Sequence, residues 1–333
     1  VVAGNRERDH RTGFSTPPRL TLKSLLSFAL HPEWSLNYLF RKKFKLANIT
    51  SMILVLLSIL MILFKGLNFG IDFKGGTLME LRCDSTNIQI SDVRSSFNQL
   101  DLGDINVKEF GKKGDFLIKF ERKSFDDKIS IKTIKEKVSN ELQGNVDFRR
   151  VENVGPKVSK ELLESGLLAI SLALAAMLFY IWVRFEWQFS IGSIIAIFHD
   201  VLITIGLFSL LSLEINLSIV AAVLTIVGYS MNDTVVIYDR IRENLRKYSS
   251  QKIGEISNKS INETLSRTII TSSTTLLALI SIFILGGEIL KGFSLAMIIG
   301  VIIGTYSSIF VASPILKYFN VSFKTISKEK ENN

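Results

Sequence analysis

Long apolar runs alternate with polar segments along this chain of 333 residues. Each run contains few charged residues and reaches about the 20 positions that an α-helix needs to cross the hydrocarbon core of a bilayer. A soluble protein would need an unusually large apolar core to bury so many runs of this length. We therefore predict a membrane α-helical protein with six spans, at 46–67, 161–183, 189–211, 215–238, 268–287 and 292–316.

The Lys and Arg residues crowd beside particular ends of these runs. They precede the first span as "RKKFK" (41–45), follow the second as Arg184, follow the fourth as "RIRENLRK" (240–247), and follow the sixth as Lys317 and Lys324. Because positive residues mark the cytoplasmic side of a span, both termini are predicted to be cytoplasmic. The cytoplasmic parts are then a partly disordered N-terminal segment (1–45) with a candidate surface helix at 21–30, a basic loop (239–266) and a C-terminal tail (317–333). This orientation explains the net charge of +9, and we expect no nucleic-acid partner.

A water-soluble domain is predicted between the first two spans, over 68–160. The segments that alternate apolar and polar residues, as half-buried strands do, are "TLMELRC" (77–83), "INVKEF" (105–110), "DFLIKFE" (115–121) and "VDFRRVENV" (146–154). Two segments with helical periodicity lie between them; the first starts with Ser91 as its N-cap and the second covers 129–143. The order β-α-β-β-α-β is that of a ferredoxin-like α+β fold. Because long loops translocate regardless of charge, we expect this domain to be periplasmic.

The sequence of this domain gives no sign of catalysis. It has no Cys/His cluster, no phosphate-binding glycine loop and no nucleophile beside a base, and Gly75-Gly76 is typical of a tight turn. The single cysteine, Cys83, cannot form an internal disulfide. We therefore expect a binding or mechanical role for the domain, no enzymatic activity, and neither a cofactor nor a metal.

Ionisable residues interrupt the apolar runs at a few positions. His199 and Asp200 lie near the middle of the third span, Asp233 lies toward the cytoplasmic end of the fourth, and Arg267 lies at the start of the fifth. Such residues are costly in a membrane, and they usually face the bundle interior and mark ion or proton pathways. Since the fourth and fifth spans are antiparallel neighbours with both charges near the inner side, a contact between Asp233 and Arg267 is feasible.

Two interpretations of Asp233 and Arg267 remain open at this point. The pair either fixes helix packing as a static ion pair, or it forms a proton relay in which Asp233 carries the proton and Arg267 acts as a gate. An arginine that moves toward or away from a carboxyl can switch it between charged and neutral forms, whereas arginine keeps its own proton. His199 and Asp200 allow the same two interpretations, and we rank them behind Asp233 and Arg267 as relay residues.

Motifs in four separate places resemble the SecD/SecF family of protein-export membrane proteins. They occur in the family's order and spacing between residues 45 and 320, as "NFGIDFKGGTLMEL" (68–81), "FHDV" (198–201), "GYSMNDTVVIYDRIREN" (228–244) and "NETLSRTIITSSTT" (262–275). The resemblance implies a six-span relative of the RND superfamily in the bacterial inner membrane. It also implies that Asp233 and Arg267 take part in proton movement, with a further carboxyl on the partner subunit.

The same resemblance implies partners and a task. A SecF-like subunit pairs with SecD, associates with the SecYEG translocon and uses the proton-motive force to promote export of unfolded secretory polypeptides. SecA, YajC/YidC and membrane lipids are further partners that it suggests. Two other interpretations stay open: half of a proton-driven RND-type exporter of small molecules or lipids, and a purely structural membrane subunit. The soluble domain is too short for the substrate funnel that the exporter would need.

Overall fold

The computed structural model describes residues 40–83, 88–100, 102–120, 131–142 and 146–326, which all belong to one structural unit. The expectations for residues 1–39, including the surface helix at 21–30, lie outside this part of the chain. In chain order the elements are α1 (Phe40–Lys65), β1 (Asn68–Phe69), α2 (Ile71–Lys74), β2 (Gly76–Cys83), α3 (Ile90–Asn98), β3 (Ile105–Glu109), β4 (Asp115–Phe120), α4 (Ile131–Glu141), β5 (Val146–Val154), α5 (Pro156–Arg184), α6 (Trp187–Leu210), β6 (Glu214–Ile215), α7 (Leu217–Lys247), α8 (Ile253–Leu285), α9 (Gly287–Ser307), a π-helical turn (Ser308–Ala312) and α10 (Ser313–Tyr318).

The membrane bundle consists of α1, α5, α6, α7, α8 and the continuous α9–α10 segment. Among the described residues these are the six helices long and apolar enough to cross a bilayer. About half of the apolar part of α6, α7 and α9–α10 is buried, whereas α1, α5 and α8 expose most of theirs. Helices α6, α7 and α9–α10 therefore form the centre of the bundle. Helices α1, α5 and α8 present apolar side chains to lipid or to partner helices. The predicted six-span fold is confirmed.

The connection between the fourth and fifth spans differs from the predicted loop at 239–266. Helix α7 continues to Lys247 and α8 already begins at Ile253, so this region is a helical hairpin with a short turn between its arms. The apolar runs end where charged residues begin, but the buried face of the two helices continues beyond that point. Residues Ile241, Leu245 and Ile256 are all buried at helical spacing among the charged ones. A criterion based on runs of apolar residues misses such an amphipathic extension.

The domain between α1 and α5 has the predicted ferredoxin-like topology. Its strands form a four-stranded antiparallel sheet in the order β3-β4-β2-β5, with α3 and α4 in the crossover connections. One face of this sheet and the two helices bury an apolar core that includes Met79, Leu81, Phe97, Phe116, Ile118 and Ile134. Helix α3 starts two residues earlier than expected: its N-cap is Gln89 rather than Ser91, because Gln89 and Asp92 form a capping box.

Polar contacts tie this domain to the N-terminus of α7. Strands β1 and β6 pair in parallel, and the backbone N–H of Gly70 donates to the carbonyl of Ile215 at 2.8 Å. Asp72, at the start of α2, accepts a hydrogen bond from the backbone N–H of Leu217 at 2.9 Å. Lys119 on β4 forms an ion pair with Glu214. The α+β domain is thus attached directly to the first turn of the helix that carries Asp233.

Candidate functional site

The carboxylate of Asp200 lies at the centre of the bundle and is almost fully buried. Its Oδ2 accepts hydrogen bonds from Ser230 Oγ on α7 at 2.5 Å and from Ser307 Oγ on α9 at 2.7 Å. Its Oδ1 lies 2.9 Å from Nδ1 of the neighbouring His199. Three helices therefore supply partners to one carboxylate, as buried polar groups in a membrane bundle require.

A second group of hydroxyls lies between α7 and the π-helical turn, next to this carboxylate. Ser308, the first residue of the π-helical turn, donates to the carbonyl of Ser230 at 3.3 Å, and its hydroxyl lies 2.9 Å from that of Thr234. Thr234 directly follows Asp233 along α7. Ser307 and Ser308 are both fully buried and contact different neighbours, at the point where the helix widens into its π turn.

The His199 ring connects the Asp200 cluster to the outer helix α1. It stacks on the Tyr306 ring with 6.2 Å between centroids, and the Tyr306 hydroxyl donates to the carbonyl of Ala47 at 2.8 Å while accepting from Ser51 at 3.1 Å. The other ring nitrogen of His199, Nε2, is buried and has no hydrogen-bond partner among the described residues.

Asp233 is also buried, but its surroundings differ from those of Asp200. It is 4% exposed, and its Oδ2 has no hydrogen-bond partner within the described part of the chain. Asp233 and Arg267 do not form an ion pair, since no nitrogen of that arginine lies within 4.0 Å of the Asp233 oxygens. Arg267 is exposed on α8.

The hydroxyl residues after Arg267 bond mostly to their own helix. Thr271, Thr274 and Thr275 each donate to a carbonyl of that helix one turn earlier. Two of the group also reach neighbouring helices: the Ser272 hydroxyl lies 2.8 Å from that of Thr305 on α9, and Thr275 Oγ1 accepts a hydrogen bond from the Tyr229 hydroxyl on α7 at 3.4 Å.

Sequence reasoning missed the serine donors to Asp200. Ser230 precedes Asp233 by three positions and Thr234 follows it by one, so a polar stripe at helical spacing on α7 was available as a signal. Ser307 and Ser308 gave no comparable signal, because isolated serines are frequent in apolar helices and often bond only to their own backbone.

Fold and site together define a class of protein. The bundle is a helical integral membrane protein with ionisable groups enclosed at its centre, an arrangement typical of proteins that conduct ions or protons across a membrane. An α+β domain attached to one end of a central helix is added to that bundle.

Comparison with known proteins gives the family. A family model described as "Protein export membrane protein SecD/SecF, C-terminal" matches residues 133–322, and the SecD/SecF GG motif matches residues 61–86. A protein translocase subunit SecF from Rickettsia bellii is 47% identical over 276 residues, which cover 83% of this chain and 91% of that protein. The homologous subunit from Cereibacter sphaeroides is 45% identical over 265 residues, covering 77% of this chain and 81% of its own. The chain belongs to the SecD/SecF family.

Solved structures agree with this assignment. The crystal structure of SecDF, a translocon-associated membrane protein from Thermus thermophilus, superimposes with a TM-score of 0.75 at 34% identity and covers 85% of this chain. SecDF in its super-membrane-facing form gives a TM-score of 0.63 at 34% identity and covers 89%. The chain spans 38% and 40% of those two longer chains.

Proposed function

We propose that this chain is a SecF-like subunit of the Sec export machinery that uses the proton-motive force, together with SecD, to promote translocation of unfolded secretory polypeptides through SecYEG. It acts in the bacterial inner membrane, with its termini cytoplasmic and its α+β domain periplasmic. SecA and YajC/YidC are further partners in this proposal. The names of the relatives, a protein translocase subunit and a translocon-associated membrane protein, support the export role.

The observation that supports the proton-coupling part of the proposal is the burial of Asp233 without a described hydrogen-bond partner for its Oδ2. A buried carboxyl with one oxygen lacking a described partner has room to take up a proton, because no existing hydrogen bond to that oxygen has to break. Placing an aspartate in a membrane span costs about 2.5–3.5 kcal/mol on insertion scales, which a purely structural role for an unpaired group would not offset. Asp233 is therefore the proton carrier, and the Arg267 guanidinium is the charge whose approach or retreat controls it.

Asp200 and His199 have a different part in this proposal. Both oxygens of Asp200 are already engaged by partners on three helices, so this carboxylate positions α6, α7 and α9 relative to one another. His199 Nε2, which has no hydrogen-bond partner among the described residues, lies on the side of the ring away from Asp200, where a proton or a water molecule can be accepted. These two residues belong to the buried polar cluster but do not replace Asp233 as carrier.

Helix α7 supplies the mechanical link from the carrier to the periplasmic domain. Asp233 lies on this helix. The first turn of α7 is held by Asp72, and Lys119 of the α+β sheet forms an ion pair with Glu214, which lies just before that turn. A shift of α7 that accompanies a change of charge at Asp233 therefore moves the attachment point of the domain. One charge crossing a potential of 100 mV is worth about 2.3 kcal/mol, enough to bias such a shift.

The test is export by the complete complex reconstituted into vesicles with SecD and SecYEG. Export of a secretory polypeptide is measured with and without an imposed proton gradient, for the parent chain, Asp233→Asn, Asp233→Glu and the matched control Glu164→Gln. Glu164 is an exposed carboxylate on α5, so its variant removes the same charge outside the bundle centre.

We expect the gradient to accelerate export for the parent chain and Glu164→Gln, and the ratio of rates to fall to about one for Asp233→Asn. Asp233→Glu retains a titratable group and should keep part of the acceleration. Unchanged co-purification of Asp233→Asn with SecD shows that assembly is intact. Gradient-dependent export by Asp233→Asn at the parent ratio would rule out Asp233 as the carrier.

A further inference from the structure

A basic pocket lies where the end of α5 meets the last two turns of α7. It forms an open cavity of about 570 Å³. Arg184 forms one wall, and the other wall consists of Asp239, Arg242, Glu243 and Arg246, which share one face of α7 at positions i, i+3, i+4 and i+7, with Lys247 beside them.

The two carboxylates of the pocket are already neutralised by arginines. Arg184 holds both oxygens of Asp239 at 2.9 and 3.0 Å. Arg240, which lies outside the pocket, donates to Glu243 at 2.5 Å.

The cations of the pocket fall into two groups. Arg242 is committed to the buried Glu186 at 3.0 Å, and the guanidinium groups of Arg184 and Arg242 both lie over the Phe185 ring, at 5.0 and 5.3 Å. Arg246 and Lys247 remain: both are exposed, and neither forms an ion pair with a described residue. The Lys247 ammonium lies 5.5 Å from the centroid of the Tyr248 ring. The pocket thus carries excess positive charge at its rim.

The depth of the pocket along the bundle matches the headgroup layer of a bilayer. Helix α7 has 31 residues and is roughly 46 Å long at 1.5 Å per residue, whereas the hydrocarbon core is about 30 Å thick, so its last turns extend beyond the core. Exposed Trp182 and Trp187 lie on either side of Arg184 in sequence, and tryptophan concentrates at the membrane–water interface. One turn before Arg184, on the same face, the half-exposed Tyr180 provides apolar surface below the pocket.

We propose that this pocket binds the phosphate group of an anionic phospholipid, with the acyl chains lying along α5 below Tyr180. Arg246 and Lys247 supply the donors, and Arg184 supplies the wall against which the phosphate rests. This site is separate from the proposed proton relay, because its lining includes none of Asp200, Asp233 and the described hydrogen-bond partners of Asp200. The bound lipid would hold the end of α5 and the last turns of α7 at a fixed depth in an anionic leaflet.

A simpler explanation is that these cations only interact with the dipoles of the helix ends. Arg184, Arg246 and Lys247 do lie in last turns, where positive charge is favourable. That explanation predicts stabilisation by each residue separately and no dependence on an added ligand. The open cavity between two helices, with two rim cations that form no ion pair among the described residues, favours a ligand instead.

The test uses the purified full chain in a zwitterionic detergent, with the thermal unfolding midpoint as readout. Dioleoyl phosphatidylglycerol, dioleoyl phosphatidylcholine and inorganic phosphate are titrated separately, and lipid retained by the protein is measured by native mass spectrometry. The variant is Arg246→Gln with Lys247→Gln, and the matched control is Lys252→Gln with Lys317→Gln, which removes two exposed lysines outside the pocket.

We expect a saturable upward shift of the midpoint with phosphatidylglycerol only. Each basic residue near an anionic surface contributes about a factor of five in affinity, so the pocket variant should bind about 25-fold more weakly while the control binds like the parent. Arg246→Lys with Lys247→Arg keeps the charges and should restore binding.

Several outcomes would overturn the proposal. An equal shift with phosphatidylcholine means that acyl chains alone bind, and an equal shift with inorganic phosphate means a simple anion site. An equal loss of phosphatidylglycerol binding in the control variant means that overall charge, not the pocket, attracts the lipid. No shift with any of the three ligands leaves only the helix-end explanation. The midpoint of each variant without lipid shows whether it is folded.

Discussion

The contact between α1 and α6 depends on the absence of a side chain at Gly206. A Cβ added there would lie 2.3 Å from Cβ of Ser58 and 2.7 Å from its Cα. Nearby, Ser209 Oγ donates to the carbonyls of Met61 and Gly66, at 3.0 and 2.7 Å, which locks the same two helices together. Gly206→Ala therefore acts on a close interface between two helices, of the kind that small residues permit in membranes.

The magnitude follows from these distances. Carbon atoms in contact are about 3.5–4.0 Å apart, so the two helices must separate by about 1 Å, and no rotation of a side chain removes the contact with the backbone Cα. A gap of that size loses a quarter to a half of the dispersion energy along the interface. We expect Gly206→Ala to lower the free energy of unfolding by about 1–3 kcal/mol, as overpacking usually does.

The assay is reversible unfolding in mixed micelles by increasing the fraction of a denaturing detergent, followed by circular dichroism. The matched control is Gly228→Ala on α7, where an added Cβ meets no atom within 4 Å. That variant should be neutral or more stable by up to about 1 kcal/mol, because alanine favours helix more than glycine does. If the two variants unfold within about 0.5 kcal/mol of each other, the close approach of α1 and α6 is not what Gly206 provides.

Other contacts give further expectations. Bidentate hydrogen bonds from Arg82 lower the pKa of Asp115, so the stability that this carboxylate contributes is complete above the pKa of an unfolded aspartate, about 3.9, and is lost as pH falls through the lower folded pKa. Arg82→Met should cost about 1.5–3 kcal/mol at neutral pH and remove this acid dependence, measured by hydrogen exchange of β2 in the full chain. Asp72→Ala should cost about 0.5–2 kcal/mol through the freed N–H of Leu217 and raise exchange in the first turn of α7. Tyr306→Phe removes the hydroxyl that joins α9 to α1 and should cost about 0.6–1.5 kcal/mol in the micelle assay.

Each of these expectations has a control in the chain. Asp147→Asn changes a largely exposed carboxylate of the same sheet, so its acid profile should match the parent, and an identical profile for Arg82→Met would contradict the ion-pair argument. Asp72→Asn keeps an acceptor for the N–H of Leu217 and should lose less than Asp72→Ala; equal losses would mean that the hydrogen bond is unimportant. For Tyr306→Phe, unchanged stability would show that water replaces the missing hydroxyl.

The elements that the sequence predicts best are those defined by a single repeating pattern. The strand at 146–154 has the predicted bounds, because strict alternation of side chains leaves little choice of ends. The start of α3 was misplaced because Ser91, Gln89 and Asp92 all have capping side chains, and only the folded geometry selects between them. The helical hairpin after Tyr238 was missed because its buried stripe is interrupted by charged residues on the outer face.

The site was predicted in its residues but not in its geometry. Isolated ionisable residues in apolar runs identify Asp200 and Asp233 from sequence, because each is costly in lipid. Which of them is enclosed by donors depends on where α7 and α9 cross α6, and that is set by packing among distant residues. The separation of Asp233 from Arg267 has the same origin, since sequence places both near one membrane face without fixing the rotation of α8.

The π-helical turn at 308–312 has a consequence for how the last span tolerates changes in length. Such a turn holds about one residue more than an α-helical turn, so deleting one residue within it would leave a regular α-helical turn and keep the following residues in the same rotational phase. The fully buried Leu316 would stay inside the bundle and exposed Lys317 would stay outside, whereas the same deletion in the regular part of α9 would turn everything after it by about 100°. The π turn is therefore the place in the last span where a single-codon deletion disturbs the packing of the following helix least.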